Sequence, residues 1–119
     1  MGKIHVYHYP RCSTCKKALR WLDEAGVDYQ PHHIVEDTPS EEMLLDLIQR
    51  SDLPLKRWFN TSGQKYRDMN LKDQVDDMTP EEAARLLASD GMLIKRPLIT
   101  DGEKVTLGFS EKEYQQWRT

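Results

Sequence analysis

The chain has 119 residues, 38% apolar and 31% charged, with 17 basic and 20 acidic side chains and a formal net charge of −3. That length suits one compact domain with a real core and is short for two, and the composition fits a soluble globular protein rather than a disordered or membrane chain. No apolar run reaches the roughly 20 residues of a bilayer span, and an acidic balance without a basic stripe argues against direct contact with nucleic-acid phosphates. The opening MGKIHVYHYP alternates where a signal peptide needs an unbroken apolar stretch, so a cytoplasmic protein without a membrane anchor is expected. It is expected to act as a monomer.

Residues 3–8, KIHVYH, alternate and are rich in β-branched and aromatic types, which predicts a first strand stopping at Tyr9-Pro10. Beyond it Cys15, Ala18, Leu19, Leu22 and Ala25 share one helical stripe, and Gly26 is placed to terminate that helix. Val27 to Val35 reads as a second strand, completing a parallel, right-handed β-α-β unit. Two similar helix-start signals follow, TPSE at 38–41 and TPEE at 79–82, each with Thr as N-cap, Pro at the first helical position and Glu closing a capping box. They predict helices over about 39–49, burying Met43, Leu44 and Leu47, and over about 80–88, burying Ala83, Leu86 and Leu87. Shorter helical pieces are expected over 53–75, around the turn NTSG at 60–63.

The last third returns to strands. PLIT at 97–100, a turn at Asp101-Gly102 and KVTL at 104–107 predict a hairpin, and Ser110 with Glu113 caps a closing helix carrying Tyr114 and Trp117. The order β-α-β, helical block, β-β-α is that of an α/β thioredoxin-like fold. We therefore expect a single domain over residues 1–119, with a helical insertion at about 39–92.

Both cysteines lie in PRCSTCKKA at 10–18. Cysteines at i and i+3 at a helix start are close enough for a short disulfide ring to close. The unpaired N–H groups there favour an anion, which for cysteine is the thiolate. Arg11, Lys16 and Lys17 should lower the Cys12 pKa further, and a lowered pKa makes a thiol the attacking group at neutral pH. Cys12 is thus the candidate nucleophile and Cys15 the resolving thiol. Packing alone would suit Cys15 on the apolar stripe, but not Cys12 in a polar loop. A zinc site needs about four ligands, and without a second CxxC it would have to recruit His8, His32 or His33, so no metal is expected. His5, His32 and His33 read as strand-surface or satisfied histidines. His8, near the cysteine loop, is the one worth testing.

A first strand ending in PRCSTCKKA, a helical block, KRPLI at 95–99 and a closing β-β-α resemble the arsenate reductase (ArsC) family, which includes the Spx regulators. The stretches FNTSGQKYRDMNLKD and ASDGMLIKRPLI look most like its uncharacterised ArsC-like branch. The resemblance implies a thioredoxin-like fold, a reactive Cys12, and a cis proline at Pro97 beside it. It also implies that Arg96 matches the arginine that helps bind the oxyanion in arsenate reductases. The other two arginines of those enzymes correspond here to Asn60 and to Gly108 or Phe109, which weighs against arsenate reduction.

The expected activity is therefore thiol-disulfide exchange, without a bound cofactor and with an external thiol reductant such as thioredoxin or glutathione. Cys12, Cys15 and Arg96 would be catalytic, with Arg11, Ser13, Asn60 and Pro97 shaping the substrate cleft. Two alternatives are an Spx-like redox regulator binding the RNA polymerase α subunit, and an arsenate reductase linked to glutathione or thioredoxin.

Overall fold

The computed structural model describes residues 3–118. A four-stranded sheet in the order β2-β1-β3-β4 is built from β1 (Ile4–His8), β2 (Tyr29–His33), β3 (Leu98–Thr100) and β4 (Val105–Leu107). β1 runs parallel to β2 and antiparallel to β3, and β3 and β4 form the hairpin. The helices are α1 (Ser13–Glu24), α2 (Glu41–Arg50), α3 (Gln64–Asp68), α4 (Pro80–Ser89) and α5 (Glu111–Tyr114), with 3-10 turns between and after them. Among the described residues, no helix is long and apolar enough to cross a membrane.

Alternation along the central strands sorts the core into two layers. Val6 and Ile99 meet Ala18 and Leu22 of α1 and Tyr114 and Trp117 at the chain's end. Tyr7, Leu98 and Leu107 turn the other way, onto the helical block around Leu44, Trp58 and Leu87. Full burial of a side chain such as Leu22 contributes about 2 kcal/mol from apolar surface removed from water. Trp117 Nε1 donates to Thr106 Oγ1 at 3.1 Å and the Tyr114 hydroxyl to the Gly108 carbonyl at 2.7 Å, fixing the C-terminal helix against β4. The thioredoxin-like order is the one expected.

Local chemistry explains the boundaries. α1 ends with Gly26 at φ 74°, Gly26 N–H donating to the Asp23 carbonyl and Val27 N–H to that of Leu22. This pattern needs a left-handed residue after the helix, and glycine takes that conformation without steric cost. Gly91 serves a different purpose: a Cβ there would collide with the Ile34 main chain, so only glycine lets the helical block approach the chain leaving β2.

Four expectations are corrected. The second strand is only Tyr29–His33, because Ile34 to Asp37 fold into a turn in which Asp37 N–H donates to the His33 carbonyl. Pro31 is tolerated there because β2 is an edge strand. The TPSE signal does not work as TPEE does: Thr38 Oγ1 donates back to the Ile34 and Val35 carbonyls, and Ser40 caps α2 by accepting from Met43 N–H at 3.1 Å. Met43 and Leu86 are half-buried, at the edges of their helix stripes. The hairpin turn spans 101–104, Asp101 Oδ1 accepting from Glu103 and Lys104 N–H.

Candidate active site

β1 delivers the chain to the loop Tyr9-Pro10-Arg11-Cys12, where Cys12 N–H donates to the Tyr9 carbonyl at 3.0 Å and closes a tight turn. Cys12 is then the N-cap of α1, with extended φ −91° and ψ 117°, and its carbonyl accepts from Lys16 N–H. Its Sγ accepts from Cys15 N–H at 3.3 Å, as a serine hydroxyl would at an N-cap. No acidic residue stands in the first turn, so nothing there competes with a sulfur anion for the orphan N–H groups.

The two cysteines are reduced and unlike each other. Cys12 is half-buried, whereas Cys15 is 1% exposed and its Sγ accepts from Tyr9 N–H at 3.5 Å. Burial works against ionisation of Cys12. Hydrogen bonding from Cys15, and the hydrogen bond and charge of Arg96, outweigh it and hold the thiol below its ordinary value. Cys15 goes the other way: burial pushes its pKa up to about 12, aided by the neighbouring Cys12, against the opposing pull of Tyr9 N–H and Arg96. One sulfur is poised as an anion, and the other keeps its proton.

Arg96 comes from the far end of the sequence through the chain entering β3. Its Cζ stacks over the Tyr9 ring at 5.1 Å, and its buried Nε and Nη1 have no acceptor among the described residues. The Arg96-Pro97 peptide is cis, as the resemblance implied, and Pro97 is buried with its carbonyl accepting from Gly108 N–H at 3.0 Å. Cys12, Cys15 and Arg96 are therefore brought together. Ser13 is exposed as the first residue of α1, and Arg11 is exposed beside Cys12. Asn60 N–H donates to the Leu93 carbonyl, while its side chain accepts from Ser62 Oγ across the 60–63 turn. Arg11, Lys16 and Lys17 are all exposed to solvent, which screens their charge, and the cation that lowers Cys12 by direct hydrogen bonding and charge is Arg96.

Among 116 described residues, those matching one family model span nearly all: the ArsC family model covers residues 7–117. The chain belongs to the ArsC family. Its relatives within reach of alignment include the uncharacterized protein YusI of Bacillus subtilis, 54% identical over 113 residues, covering 95% of this chain and 96% of YusI. The Regulatory protein MgsR of the same organism is 27% identical, covering 93% of this chain and 86% of MgsR. In three dimensions the chain is similar to an ArsC family related protein from Bacteroides fragilis, with a TM-score of 0.91 and 42% identity over 97% of both chains. The ArsC assignment, the thioredoxin-like fold and a close CxxC pair stand together as a thiol redox family.

Two features escaped the sequence reading. Tyr9 supports the site twice, through its N–H to Cys15 and its ring under Arg96; an aromatic residue directly before Pro-Arg-Cys was the available signal. On the sheet, His5 Nδ1 lies 2.8 Å from His32 Nε2, and His32 Nδ1 2.6 Å from Asp37 Oδ2, a chain of satisfied histidines as expected for His5 and His32 but with a carboxylate anchor that spacing did not reveal. His8 is paired in register with His33, and burial lowers its pKa, keeping it neutral.

Proposed function

We propose that this ArsC family protein performs thiol-disulfide exchange, with Cys12 as nucleophile and Cys15 as resolving thiol. The observation that carries the reading is the opposed ionisation of the pair: an accessible thiol held low at a helix start, and a buried thiol held high three residues on. The Cys12 thiolate attacks one sulfur of a disulfide; the Cys12–sulfur bond forms as the substrate S–S bond breaks, and the other half leaves as a thiolate. Consumption of the Cys12 anion removes part of what holds the Cys15 proton. Cys15 passes that proton to the departing sulfur or to solvent and attacks Cys12 Sγ, giving a Cys12-Cys15 disulfide and a fully reduced substrate. An external thiol such as thioredoxin or glutathione returns the two electrons. Arg96 stabilises the thiolate, and the charge of its half-buried guanidinium attracts an anionic group on the substrate.

The test is equilibration in glutathione buffers with mass-spectrometric readout, together with the pH dependence of Cys12 alkylation. A reversible loss of two hydrogens per chain and a Cys12 midpoint below the ordinary thiol value of about 8.5 are expected. Undiminished exchange by a Cys12→Ser protein would overturn the assignment.

A second reading takes the same couple as a switch, and the likeness to the Regulatory protein MgsR supports it. In that reading oxidation changes affinity for a protein partner, the RNA polymerase α subunit being the one to assay. Steady consumption of reductant separates an enzyme from a switch that reacts once per oxidation.

A further inference from the structure

Charge is sorted along this chain. Residues 9–22, 53–61 and 93–100 together hold eight of the 17 basic residues and none of the 20 acidic ones, leaving nine basic residues against all the acids elsewhere. The first and third segments meet beside Cys12, and the second packs along the third. Arg96 stacks on Tyr9, and the second segment lies along the third through the Phe59–Ile94 bridge and the Lys95 N–H donating to the Trp58 carbonyl at 2.9 Å. The first segment presents Arg11, Lys16, Lys17 and Arg20, all exposed; the second adds Lys56 and Arg57, and the third Lys95 beside Arg96. Of these eight cations, only Arg57 has a carboxylate within 4 Å among the described residues, Glu113 at 4.0 Å.

The basic groups rim two grooves. One, of about 300 Å³, is lined by Lys17, Arg20, Trp21 and Phe109, with Glu24 and Glu111 also on its wall. The other, of about 260 Å³, lies among Lys56, Arg57, Phe59, Thr61 and Lys95. A Cβ on Gly108 would lie 3.2 Å from Lys95 Cε, so the residue next to Phe109 of the first groove lies against Lys95 of the second. Aromatic floors with cationic rims suit a chain carrying both apolar and acidic side chains. A nucleic acid fits less well: it offers no sulfur to Cys12, and the net charge of −3 opposes a long polyanion.

We propose that the Cys12 face docks an acidic protein segment, one whose disulfide is flanked by Asp or Glu side chains. This deepens the thiol-disulfide reading and rests on it. The basic rim orients the incoming segment so that one sulfur meets Cys12; the Cys12–partner bond forms as the partner S–S bond breaks, and the released thiolate is protonated by solvent. Beyond a Debye length of about 10 Å the acidic remainder of the protein is screened, and the local positive face sets the encounter.

The experiment uses three disulfide-linked peptides identical except for four flanking positions, filled with Glu, Gln or Lys. Mixed-disulfide formation on the Cys15→Ser protein, which traps the adduct, is followed by mass spectrometry. Every rate is divided by that of the same protein with the neutral probe dithiodipyridine, so that changes in Cys12 reactivity cancel. In low salt the Glu peptide should react about tenfold faster than the Gln peptide and the Lys peptide slowest, with the differences collapsing in 0.5 M NaCl. Adding Lys17→Glu, Arg20→Glu and Lys56→Glu together should reverse the order, circular dichroism verifying that the protein is folded. Equal rates for the three peptides with a fast neutral probe overturn the docking surface and leave the exchange chemistry standing. A neutral probe that fails to modify Cys12 overturns both. Oxidised glutathione reacting as fast as the Glu peptide, or a DNA duplex shielding Cys12 better than that peptide does, would also overturn the proposal, in favour of a small anionic disulfide or a nucleic acid.

Discussion

At the start of α4, Thr79 Oγ1 accepts from Glu82 N–H at 3.1 Å, Glu82 reaches back to Thr79 N–H at 3.0 Å, and Glu81 adds a second carboxylate. At the start of α1, Cys12 holds the same cap position and accepts from Cys15 N–H, but the first turn carries no acid and the cation Arg96 acts on Cys12. Ser40 and Ser110 follow the α4 pattern, each with acids in the first turn. Both kinds of terminus offer orphan N–H groups and a positive dipole end. In α4 these are consumed by fixed carboxylate and hydroxyl oxygens, which stabilises the helix; in α1 they are left to a sulfur whose charge can come and go.

The largest effect should come from exchanging the sulfur for the atom used elsewhere. Cys12→Ser should lower the rate with a neutral disulfide by at least about 1,000-fold, since the thiolate is the attacking species. The hydroxyl remains a competent N-cap, so at acidic pH, where the native thiol is protonated and its thiolate contributes nothing, the melting temperature should not fall. A matching loss of stability would mean that Cys12 is chiefly structural.

Removing the cation comes next. Arg96→Ala should raise the Cys12 pKa and slow alkylation at pH 7 by about tenfold, one pKa unit being a factor of ten in thiolate; the pH-rate midpoint is the measurement. The sign of the linked stability follows from the depressed pKa. The thiolate's contribution is present above the unfolded value of about 8.5 and is lost as pH falls through the lower folded value. Cys12→Ser should flatten that slope in melting curves, and Arg96→Ala should reduce it. At the other terminus, Thr79→Ala should cost about 1 kcal/mol in denaturant unfolding and leave the rate with a neutral disulfide unchanged. A change in that rate would couple two ends that the comparison keeps separate.

What was legible followed from short-range rules. TPEE was readable because its partners lie three residues apart, as was Cys12 at the cap, and Gly26 marked the end of α1. TPSE misled because Thr38 had nearer carbonyls behind it, at Ile34 and Val35, made available by a turn that no periodicity announced. The placement of Arg96 over Tyr9 joins residues 87 positions apart, and only the resemblance, not the pattern, directed attention to Arg96. The His5–His32–Asp37 chain needed the β1–β2 register, in which Tyr7 pairs with His32, before its members could be seen as neighbours. Motifs whose atoms meet within one turn could be read; those assembled by the sheet could not.

The finest test makes one terminus resemble the other. Ser13 is exposed at the first position of α1, in the first turn, where α2, α4 and α5 carry acids. Ser13→Glu should help the helix through its dipole, by a few tenths of a kcal/mol at a solvated site, so thermal stability should hold or rise slightly. The same carboxylate competes with the thiolate for the N-terminal N–H groups and opposes it by charge. The Cys12 pKa should therefore rise by about half a unit, corresponding to about 0.7 kcal/mol, read from the alkylation midpoint. Raising ionic strength should shrink that rise, because an exposed carboxylate is screened. A midpoint that stays put while the helix gains stability would mean that Arg96 and Cys15 alone set the thiolate, and that the lack of acids at this helix start has no bearing on its chemistry.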